Sequence, residues 1–380
     1  MKKKVVVLGA TGSIGKSSLE IMSTLPDLFE IAGITANTNK EALLALSKKY
    51  GCKSLCLSGL SESDVDSSEI PYTGTEGIKK LLEATKPDIA INGIAGSAGL
   101  LPSVFVLENG IDLALANKET VVMAYPLIKA LSEKTGTSIL PVDSEHSAVF
   151  SLINRYGKDN VAKIILTASG GPFRTFTREK LEKVTFQDAM KHPTWNMGPK
   201  ITADSSTLAN KGLEVIEACR LFDVTTEQVK VTVHPQSLVH SLIQPKDGAL
   251  YAQISKPDMK HPILTALTWP NFVENSLELL NLHEFDSPLE MTFCRPDFNR
   301  FPMLRLAYQA AAKNGGYTIA YNAANEVAVA AFAKGKICFY GISDLTESVL
   351  EHDWTKTPAS FDDVFSIDKK ARELAMESLS

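Results

Sequence analysis

The chain has 380 residues, of which 44% are hydrophobic and 22% are charged, and its formal net charge is −5. This composition is typical of a globular protein, and the length exceeds what one hydrophobic core accommodates, so two or three domains are expected. The negative charge argues against a general nucleic-acid-binding surface, because such a surface needs excess Lys and Arg to neutralise phosphates. The net charge is compatible with a small local anion-binding site. No apolar run approaches membrane-spanning length, so no membrane partner is expected.

The five cysteines are scattered and contain no C-x-x-C pair, which argues against a disulfide framework or a zinc site. They predict reduced thiols in a reducing compartment, so we expect a cytoplasmic location. The basic start, residues 2–4, precedes an apolar run and superficially resembles a signal peptide. The run breaks at Gly9 and continues into a glycine-rich turn, which predicts the first strand of a fold instead.

A dinucleotide-binding fingerprint follows this first strand, predicted at residues 5–8. Gly9, Gly12 and Gly15 have the spacing G-x-x-G-x-x-G, and a helical stretch opens at residues 17–22. Strand, glycine turn and helix in this order allow backbone amides to approach a pyrophosphate at the helix N-terminus. The pattern therefore predicts a Rossmann-like nucleotide domain.

The second predicted strand, residues 30–35, is followed by a polar loop that ends at Lys40. A site that prefers NADH usually places Asp or Glu here to accept the ribose hydroxyls, and this loop contains neither. Neutral polar side chains and Lys40 suit a 2′-phosphate, so we predict NADPH over NADH. The alternative is an ordinary polar βα loop.

Further short apolar strands, at residues 54–57, 88–92 and 112–116, alternate with helical stretches. This rhythm predicts an α/β fold with a doubly wound, mainly parallel sheet. The segment 117–119 directly follows a strand, which places it at the ligand-facing edge of such a sheet. Lys118 is therefore predicted to contact substrate, although it could be only a cation at a helix start.

Two carboxylates, Asp143 and Glu145, follow an apolar strand predicted at residues 138–140. If the strand continued through them, both side chains would point to one side, with Ser144 opposite. Neighbouring carboxylates repel unless a cation or solvent compensates them, so they are candidate ligands for a hard divalent cation. The alternative is an acidic turn in which Asp143 or Ser144 caps a helix.

A second glycine-rich turn, residues 169–171, follows a strand predicted at 163–167. A serine followed by two glycines exposes a hydroxyl and backbone amides, as a phosphoryl group requires. A simple turn is the alternative.

Farther along, Asn210, Lys211 and Glu214 have the spacing that puts three side chains on one helix face. A surface Lys211–Glu214 pair is the alternative interpretation. Against it stands Gly212, which costs roughly 1 kcal/mol in a helix interior relative to Ala. We expect this glycine to let the helix pack closely against a ligand.

Residues 191–198 combine His192, Trp195 and Met197 with proline and glycine in a segment without regular period. An exposed Trp is expensive in water, so we predict a lid whose Trp195 covers bound substrate. A locally packed Ω-loop is the alternative.

Six motifs occur together and in order along the chain. They are GATGSIG at 9–15, NKE at 117–119, VDSE at 142–145, SGGPF at 169–173, KHPTWNMG at 191–198 and SSTLANKGLE at 205–214. With them, essentially the whole chain resembles the 1-deoxy-D-xylulose 5-phosphate reductoisomerase family of the non-mevalonate isoprenoid pathway.

The resemblance implies roles for particular residues. The implied metal ligands are Asp143, Glu145 and Glu214, which with Lys118 and His192 form the implied catalytic set. The implied substrate contacts are Lys118, Ser144, Glu145, Ser169, His192, Trp195, Ser205, Asn210, Lys211 and Glu214. The implied cofactor contacts are Thr11, Gly12, Ser13, Ile14, Asn37, Thr38, Asn39, Asn117, Glu119 and Gly198. Residues 37–39 form the adenosine loop, which the resemblance places near the adenosine end of the cofactor. The family usually has Gly where Asn37 stands, so this loop departs from the family's pattern.

The family's reaction is a carbon-skeleton rearrangement followed by hydride transfer from NADPH, and its product is 2-C-methyl-D-erythritol 4-phosphate. The implied metal is Mg²⁺ or Mn²⁺, with Co²⁺ as a further candidate. Three carboxylates suit such hard cations, which would act as a Lewis acid on a hydroxyketone substrate. The resemblance also implies a homodimer.

The predicted domains are an NADPH-binding domain (1–145), a central α+β catalytic, metal-binding and dimerisation domain with the lid (146–270), a linker (271–299) and a C-terminal helical bundle (300–380). Strands at 229–233, 236–243 and 249–254 are predicted to form an antiparallel sheet. His234 and His240 are expected to hydrogen-bond structurally, although His240 could instead line the site or the dimer interface. Glu326 is expected to be structural or to cap a helix.

Two other functions are compatible with parts of the pattern. A metal-free Rossmann oxidoreductase of the semialdehyde or homoserine dehydrogenase type would keep its activity in the presence of a chelator. A non-catalytic NADPH-binding regulator would leave the three carboxylates and the Ser/Asn/Lys cluster without a purpose.

Overall fold

The computed structural model describes residues 2–191, 194–195 and 198–379. The described strands are β1 (Lys3–Leu8), β2 (Phe29–Ala36), β3 (Leu55–Leu57), β4 (Tyr72–Thr73), β5 (Ile89–Asn92), β6 (Asp112–Leu115), β7 (Ile139–Pro141), β8 (Val161–Ala168), β9 (Val229–Val233), β10 (Val239–Pro245) and β11 (Tyr251–Ile254).

The described helices are α1 (Ser13–Ser23), α2 (Lys40–Tyr50), α3 (Gly74–Thr85), α4 (Leu100–Glu108), α5 (Lys118–Thr135), α6 (Ser144–Tyr156), α7 (Arg178–Leu181), α8 (Phe186–Ala189), α9 (Pro199–Thr207), α10 (Ala209–Leu221), α11 (Lys260–Thr268), α12 (Pro302–Lys313), α13 (Tyr317–Ala333), α14 (Phe339–Leu350) and α15 (Phe361–Glu377).

The chain forms two compact units. The first unit contains the chain up to residue 120 together with 126–147 and 258–278, and the second contains 121–125, 148–257 and the chain from 279 onward. Residues 121–125 lie within α5, which is kinked at Ala124 (φ −139°, ψ 17°) just before Pro126. A proline in a helix interior lacks the amide proton and clashes with the preceding turn, which accounts for the kink. The chain therefore passes from the first unit to the second and back again within α5.

The first unit is built on a seven-stranded sheet in the order β4-β3-β2-β1-β5-β6-β7. Every pairing in it is parallel, which confirms the predicted doubly wound sheet. Its strands are largely buried, as is typical of parallel sheets whose faces are covered by helices. The strand order reverses between β1 and β5, and ligands bind at such a switch point in open parallel sheets.

The second unit contains a four-stranded mixed sheet in the order β11-β10-β8-β9. The prediction of an antiparallel sheet was right for β10 with β11 but wrong for β9. Strand β9 pairs in parallel with β8, and β8 separates it from β10. The long helical connection from β8 to β9 permits this parallel pairing, which a short turn cannot.

The predicted C-terminal helices are present as α12 to α15, and they share one apolar core with α10. Glu326 on α13 accepts a hydrogen bond from Arg372 on α15 at 2.6 Å, and Arg372 also bonds Asp368 at 2.8 Å. The expected structural role of Glu326 agrees with this network. In the described part of the chain, no helix is long and apolar enough to cross a membrane.

Candidate active site

The turn between β1 and α1 has the backbone geometry that its glycines predict. Gly9 adopts φ +79°, a conformation that residues with a side chain rarely adopt. A Cβ on Gly15 would lie 2.4 Å from Ala10 Cα, so only glycine lets α1 approach the turn. Gly12 and Ser13, where α1 begins, are exposed. The first amides of α1 can therefore donate to an anion such as a pyrophosphate.

The loop after β2 exposes Asn37, Thr38 and Asn39. Asn39 caps α2, since its side chain accepts a hydrogen bond from the Ala42 amide at 3.0 Å. Lys40 forms an ion pair with Glu69 at 2.6 Å, and both side chains are partly exposed. The predicted cation of this loop is therefore already paired with a carboxylate that the sequence did not associate with it.

Asn117 organises the loops that follow β5 and β6. Its side chain accepts from the Thr120 amide at 2.8 Å and caps α5. Its amide nitrogen donates to the carbonyls of Ile94 (2.7 Å) and Gly96 (2.8 Å) and to Glu119 Oε2 (2.9 Å). Asn117 and Glu119 thus form one buried cluster at the carboxyl edge of the parallel sheet, directly before Lys118.

Lys118 and Asp143 form a buried ion pair in the first unit, with Nζ 2.6 Å from Oδ2. Asp143 Oδ1 lies 3.2 Å from Nδ1 of His146, which is fully buried. Burial of Asp143 opposes its ionisation, but the Lys118 ammonium and the His146 contact together hold the pKa of its carboxyl well below the usual range. Asp143 is therefore an anion at neutral pH.

The predicted extended conformation of residues 142–145 was wrong. Strand β7 ends at Pro141 and α6 begins at Ser144, so Glu145 lies in the first helical turn. Asp143 Oδ1 accepts from the Glu145 amide at 3.3 Å, as a residue preceding a helix does. One oxygen of Asp143 and one of Glu145 nevertheless lie within 4.8 Å of each other. Ser144 Oγ donates to Glu145 Oε2 at 2.6 Å.

His146 was missed by the sequence analysis, although a signal was available. Asp143 and His146 are three residues apart across a helix start, a spacing that lets a capping carboxylate and a side chain of the first turn meet. This spacing was overlooked because apolar residues follow His146 in α6.

In the second unit, the turn after β8 lies against the end of α9. Gly171 donates its amide to Ser169 Oγ at 3.2 Å and adopts φ +67°. A Cβ on Gly171 would lie 2.6 Å from the Ser205 carbonyl oxygen, so this approach requires glycine. Two of the predicted phosphate contacts, Ser169 and Ser205, are thereby held on adjacent backbone segments.

The predicted face of α10 is present. Asn210 Nδ2 donates to Glu214 Oε1 at 2.5 Å, and Lys211 Nζ pairs with Glu214 Oε2. Lys211 and Glu214 are only 4% and 1% exposed, so the alternative of a surface pair is wrong. The structure explains the glycine at position 212 differently from the prediction. A Cβ there would lie 2.6 Å from Ala307 Cβ and 2.7 Å from the Tyr321 hydroxyl, so the glycine permits helix packing and not ligand approach.

The segment predicted as a lid is described only in part. His192 and Met197 lie outside the described residues. Trp195 is half-buried, with its ring 6.3 Å from that of His240, and Gly198 is exposed at the start of α9.

The two histidines of the second unit hydrogen-bond to neighbouring strands and loops. His234 is fully buried, its Nδ1 lies 3.0 Å from the Thr292 carbonyl, and Nε2 accepts from the amides of Leu238 and Val239. His240 Nε2 lies 3.0 Å from Ser255 Oγ. Both contacts agree with the expected structural roles.

The predicted site residues thus fall into two groups. The first unit holds the nucleotide-turn residues, the adenosine loop, Asn117 to Glu119 and Asp143 to Glu145, while the second holds Ser169, Trp195, Gly198, Ser205, Asn210, Lys211 and Glu214. Each unit contains buried carboxylate oxygen, a hard ligand that Mg²⁺ and Mn²⁺ prefer. In each, a lysine compensates the carboxylate.

Three family models match the chain in consecutive stretches. Residues 5–125 match 1-deoxy-D-xylulose 5-phosphate reductoisomerase, residues 139–222 match its C-terminal domain, and residues 254–374 match the DXP reductoisomerase C-terminal domain.

Full-length relatives carry the same name. The chain is 50% identical over 375 residues to a 1-deoxy-D-xylulose 5-phosphate reductoisomerase of Treponema denticola, covering 99% of this chain and 97% of that protein. It is 42% identical to one of Phocaeicola vulgatus over 100% of both. The Zymomonas mobilis enzyme, solved in complex with NADPH, superposes with a TM-score of 0.90 at 38% identity over 100% of both chains. A DOX-P reductoisomerase solved with NADPH, fosmidomycin and magnesium has a TM-score of 0.89 at 34% identity, over 99% and 98%. The chain belongs to the 1-deoxy-D-xylulose 5-phosphate reductoisomerase family.

Proposed function

We propose that this chain rearranges and reduces 1-deoxy-D-xylulose 5-phosphate to 2-C-methyl-D-erythritol 4-phosphate with NADPH and a divalent cation. The observation that carries the proposal is the burial of charged residues to which the family resemblance gives metal-binding and phosphate-binding roles. Asp143 is held ionised beside Lys118, and Glu214 is paired with Lys211. A buried ion pair contributes little net stability, so function is the better reason for its presence.

We propose Asp143, Glu145 and Glu214 as the metal ligands. The fit rests on the donor set, because all three offer carboxylate oxygen and two of them hold their oxygens within 4.8 Å. When bound, Mg²⁺, Mn²⁺ or Co²⁺ would polarise the hydroxyketone oxygens, and NADPH would supply the hydride. Lys118 supports this chemistry by holding Asp143 as an anion, and Ser144 orients Glu145 through its hydrogen bond.

The substrate phosphate is assigned to Ser169, Ser205, Asn210 and Lys211, with His192 as a further substrate contact. The ammonium of Lys211 supplies the positive charge, and Asn210 and the serines supply neutral donors. Binding a phosphate far from the reacting carbons provides energy for closing Trp195 and Met197 over the substrate, which excludes water.

NADPH is assigned to residues of the first unit and to Gly198. Thr11 to Ile14 would bind the pyrophosphate, and Asn37 to Asn39 would lie at the adenosine end. Asn117, Glu119 and Gly198 would lie near the nicotinamide.

We further propose a cytoplasmic homodimer. Large apolar side chains are exposed beside and within β11 of the predicted dimerisation domain (Leu250 and Ile254) and in the predicted linker (Phe272 and Leu279), which supports a partner surface. As functional domains we keep the boundaries 1–145, 146–270, 271–299 and 300–380.

The proposed function is tested by incubating the protein with 1-deoxy-D-xylulose 5-phosphate, NADPH and Mn²⁺ while following NADPH absorbance. We expect substrate-dependent oxidation, its loss with EDTA, and its rescue by Mg²⁺ or Mn²⁺. Activity undiminished by EDTA would favour the metal-free oxidoreductase. NADPH binding without oxidation would favour the regulator.

The cofactor preference depends on Lys40. We expect tighter binding of NADPH than of NADH, and Lys40→Met should weaken NADPH binding about tenfold, since a charged hydrogen bond contributes about 1.5 kcal/mol. Glu69→Gln should strengthen NADPH binding, because it frees Lys40 from its ion pair. Dissociation constants from cofactor fluorescence measure both effects. An equal loss of NADH affinity in Lys40→Met would contradict the assignment.

A further inference from the structure

A buried polar pair joins α9 to α13 in the second unit. Asn325 Nδ2 donates to Asp204 Oδ1 at 2.9 Å. Asp204 is 1% exposed and Asn325 is fully buried. A carboxylate with so little access to water depends on the protein for its hydrogen bonds, since burying an unpaired charge costs several kcal/mol.

Lys200 completes this cluster at the opposite oxygen. Its Nζ lies 2.8 Å from Asp204 Oδ2, one helical turn away on α9. Asp204 is therefore held from two sides, by a cation within its own helix and by the Asn325 amide from another helix. The second contact fixes where α9 ends relative to α13.

Asn325 carries a free-energy cost at this position. Its Oδ1 is buried and has no hydrogen-bond partner among the residues that the structure describes. An unsatisfied buried acceptor costs about 1–3 kcal/mol, so the asparagine is justified here only by the hydrogen bond that its Nδ2 donates to buried Asp204.

The buried pair lies next to a proposed phosphate contact in the chain. Asp204 directly precedes Ser205, and α9 ends in a corner at Leu208, which has φ +60°. Beyond the corner α10 presents Asn210 and Lys211. On the other side Gly171 approaches the Ser205 carbonyl closely. A shift of Asp204 would therefore move Ser205 against the Ser169 turn.

We propose that Asp204 and Asn325 are positioning residues for the phosphate-binding corner formed by Ser205, Asn210 and Lys211. This inference rests on the proposed function, which assigns the substrate phosphate to that corner. Neither residue touches the phosphate. They hold the end of α9, and Lys200 orients Asp204 through its contact with Oδ2.

The test is Asn325→Leu, which removes the donor and keeps the branched shape and the number of side-chain heavy atoms. We expect KM for 1-deoxy-D-xylulose 5-phosphate to rise about tenfold with kcat changed less than about threefold, the pattern for lost uniform binding. The dissociation constant of inorganic phosphate, from calorimetry on the full chain, should rise by the same factor. The dissociation constant of NADPH should not change.

Asn322→Leu is the matched control. Asn322 is equally buried on α13, has the same unsatisfied Oδ1, and donates to Glu326 at 3.2 Å instead of to Asp204. We expect its KM and phosphate affinity to stay within about twofold of the parent. Equal effects of the two variants would overturn the proposal.

If Asn325→Leu does not fold, Asp204→Asn provides a milder change, because it keeps the shape and removes the charge. It should weaken inorganic phosphate binding about fivefold, and unchanged binding would overturn the proposal. A parent chain that binds phosphate but does not oxidise NADPH would refute the proposed function alone. Turnover in the parent together with an unaffected KM in Asn325→Leu would refute the positioning role alone.

Discussion

Asp143→Asn is expected to abolish metal binding and turnover while leaving NADPH binding intact. An amide keeps the shape but loses the charge that a hard cation requires, and removing one electrostatic contact at a reacting centre typically costs 10²–10³ in rate. Because the substituted residue is also a proposed metal ligand, we expect a loss of at least about 10³-fold in kcat/KM. Calorimetric titration with Mn²⁺ and fluorescence titration with NADPH measure the two affinities separately.

Asp112→Asn is a suitable control for this variant. Asp112 is a carboxylate of the same sheet, at the start of β6, and it accepts a hydrogen bond from the Ser138 amide at 2.7 Å. It lies at the amino end of its strand, away from the predicted ligand edge. We expect turnover close to that of the parent. Retained Mn²⁺ affinity in Asp143→Asn would remove Asp143 from the metal site.

Lys211→Met is expected to destabilise the protein by about 3–5 kcal/mol, the usual cost of leaving one partner of a buried ion pair uncompensated. Glu214 is 1% exposed, so its charge cannot turn to solvent once the Lys211 ammonium is removed, and the hydrogen bond from the neutral Asn210 amide does not replace that charge. The double variant Lys211→Met/Glu214→Leu should recover most of that stability, because an apolar pair of similar volume replaces the ions. Urea unfolding measures both free energies.

Activity separates stability from function in this pair of variants. Both should be inactive, since each lacks a proposed phosphate or metal contact, although only the single variant is unstable. Lys158→Met is the comparison, because Lys158 pairs with Asp223 at 2.9 Å on the surface. Surface pairs contribute about 0–1 kcal/mol, so little change is expected. A double variant as unstable as the single one would show that the pair stabilises the fold.

The five cysteines agree with the expectation of reduced thiols, since all are free in the structure. Burial raises the pKa of Cys52 to about 11 and that of Cys56 to about 12. Only the thiolate reacts readily, so these two thiols are inert at neutral pH.

Much of the candidate site was predictable because its spacing is local. The Gly9 to Gly15 turn and the Asn210–Lys211–Glu214 face follow from backbone geometry within two helical turns, and both are present as predicted. The parallel sheet followed from the alternation of apolar strands and helices. Local periodicity decides which side chains share a face, and no distant part of the chain is needed for that.

The predictions were wrong or incomplete where residues distant in the sequence determine strand order, packing or ion pairing. Strand β8 intervenes between β9 and β10, so two consecutive strands are not neighbours. Gly212 makes room for Ala307 and Tyr321, which lie about 100 residues farther along the chain. The Lys40–Glu69 pair is likewise non-local.

Asp143 and Glu145 combine both kinds of information. Their identity and spacing marked a candidate cation site, but an early helix start replaced the extended conformation that the prediction assumed. The charge on Asp143 then depends on Lys118, 25 residues away, and on buried His146. Residue types and spacing along the chain name the chemistry, whereas burial and non-local partners set the charge of each group, because desolvation and Coulomb energy depend on neighbours in space.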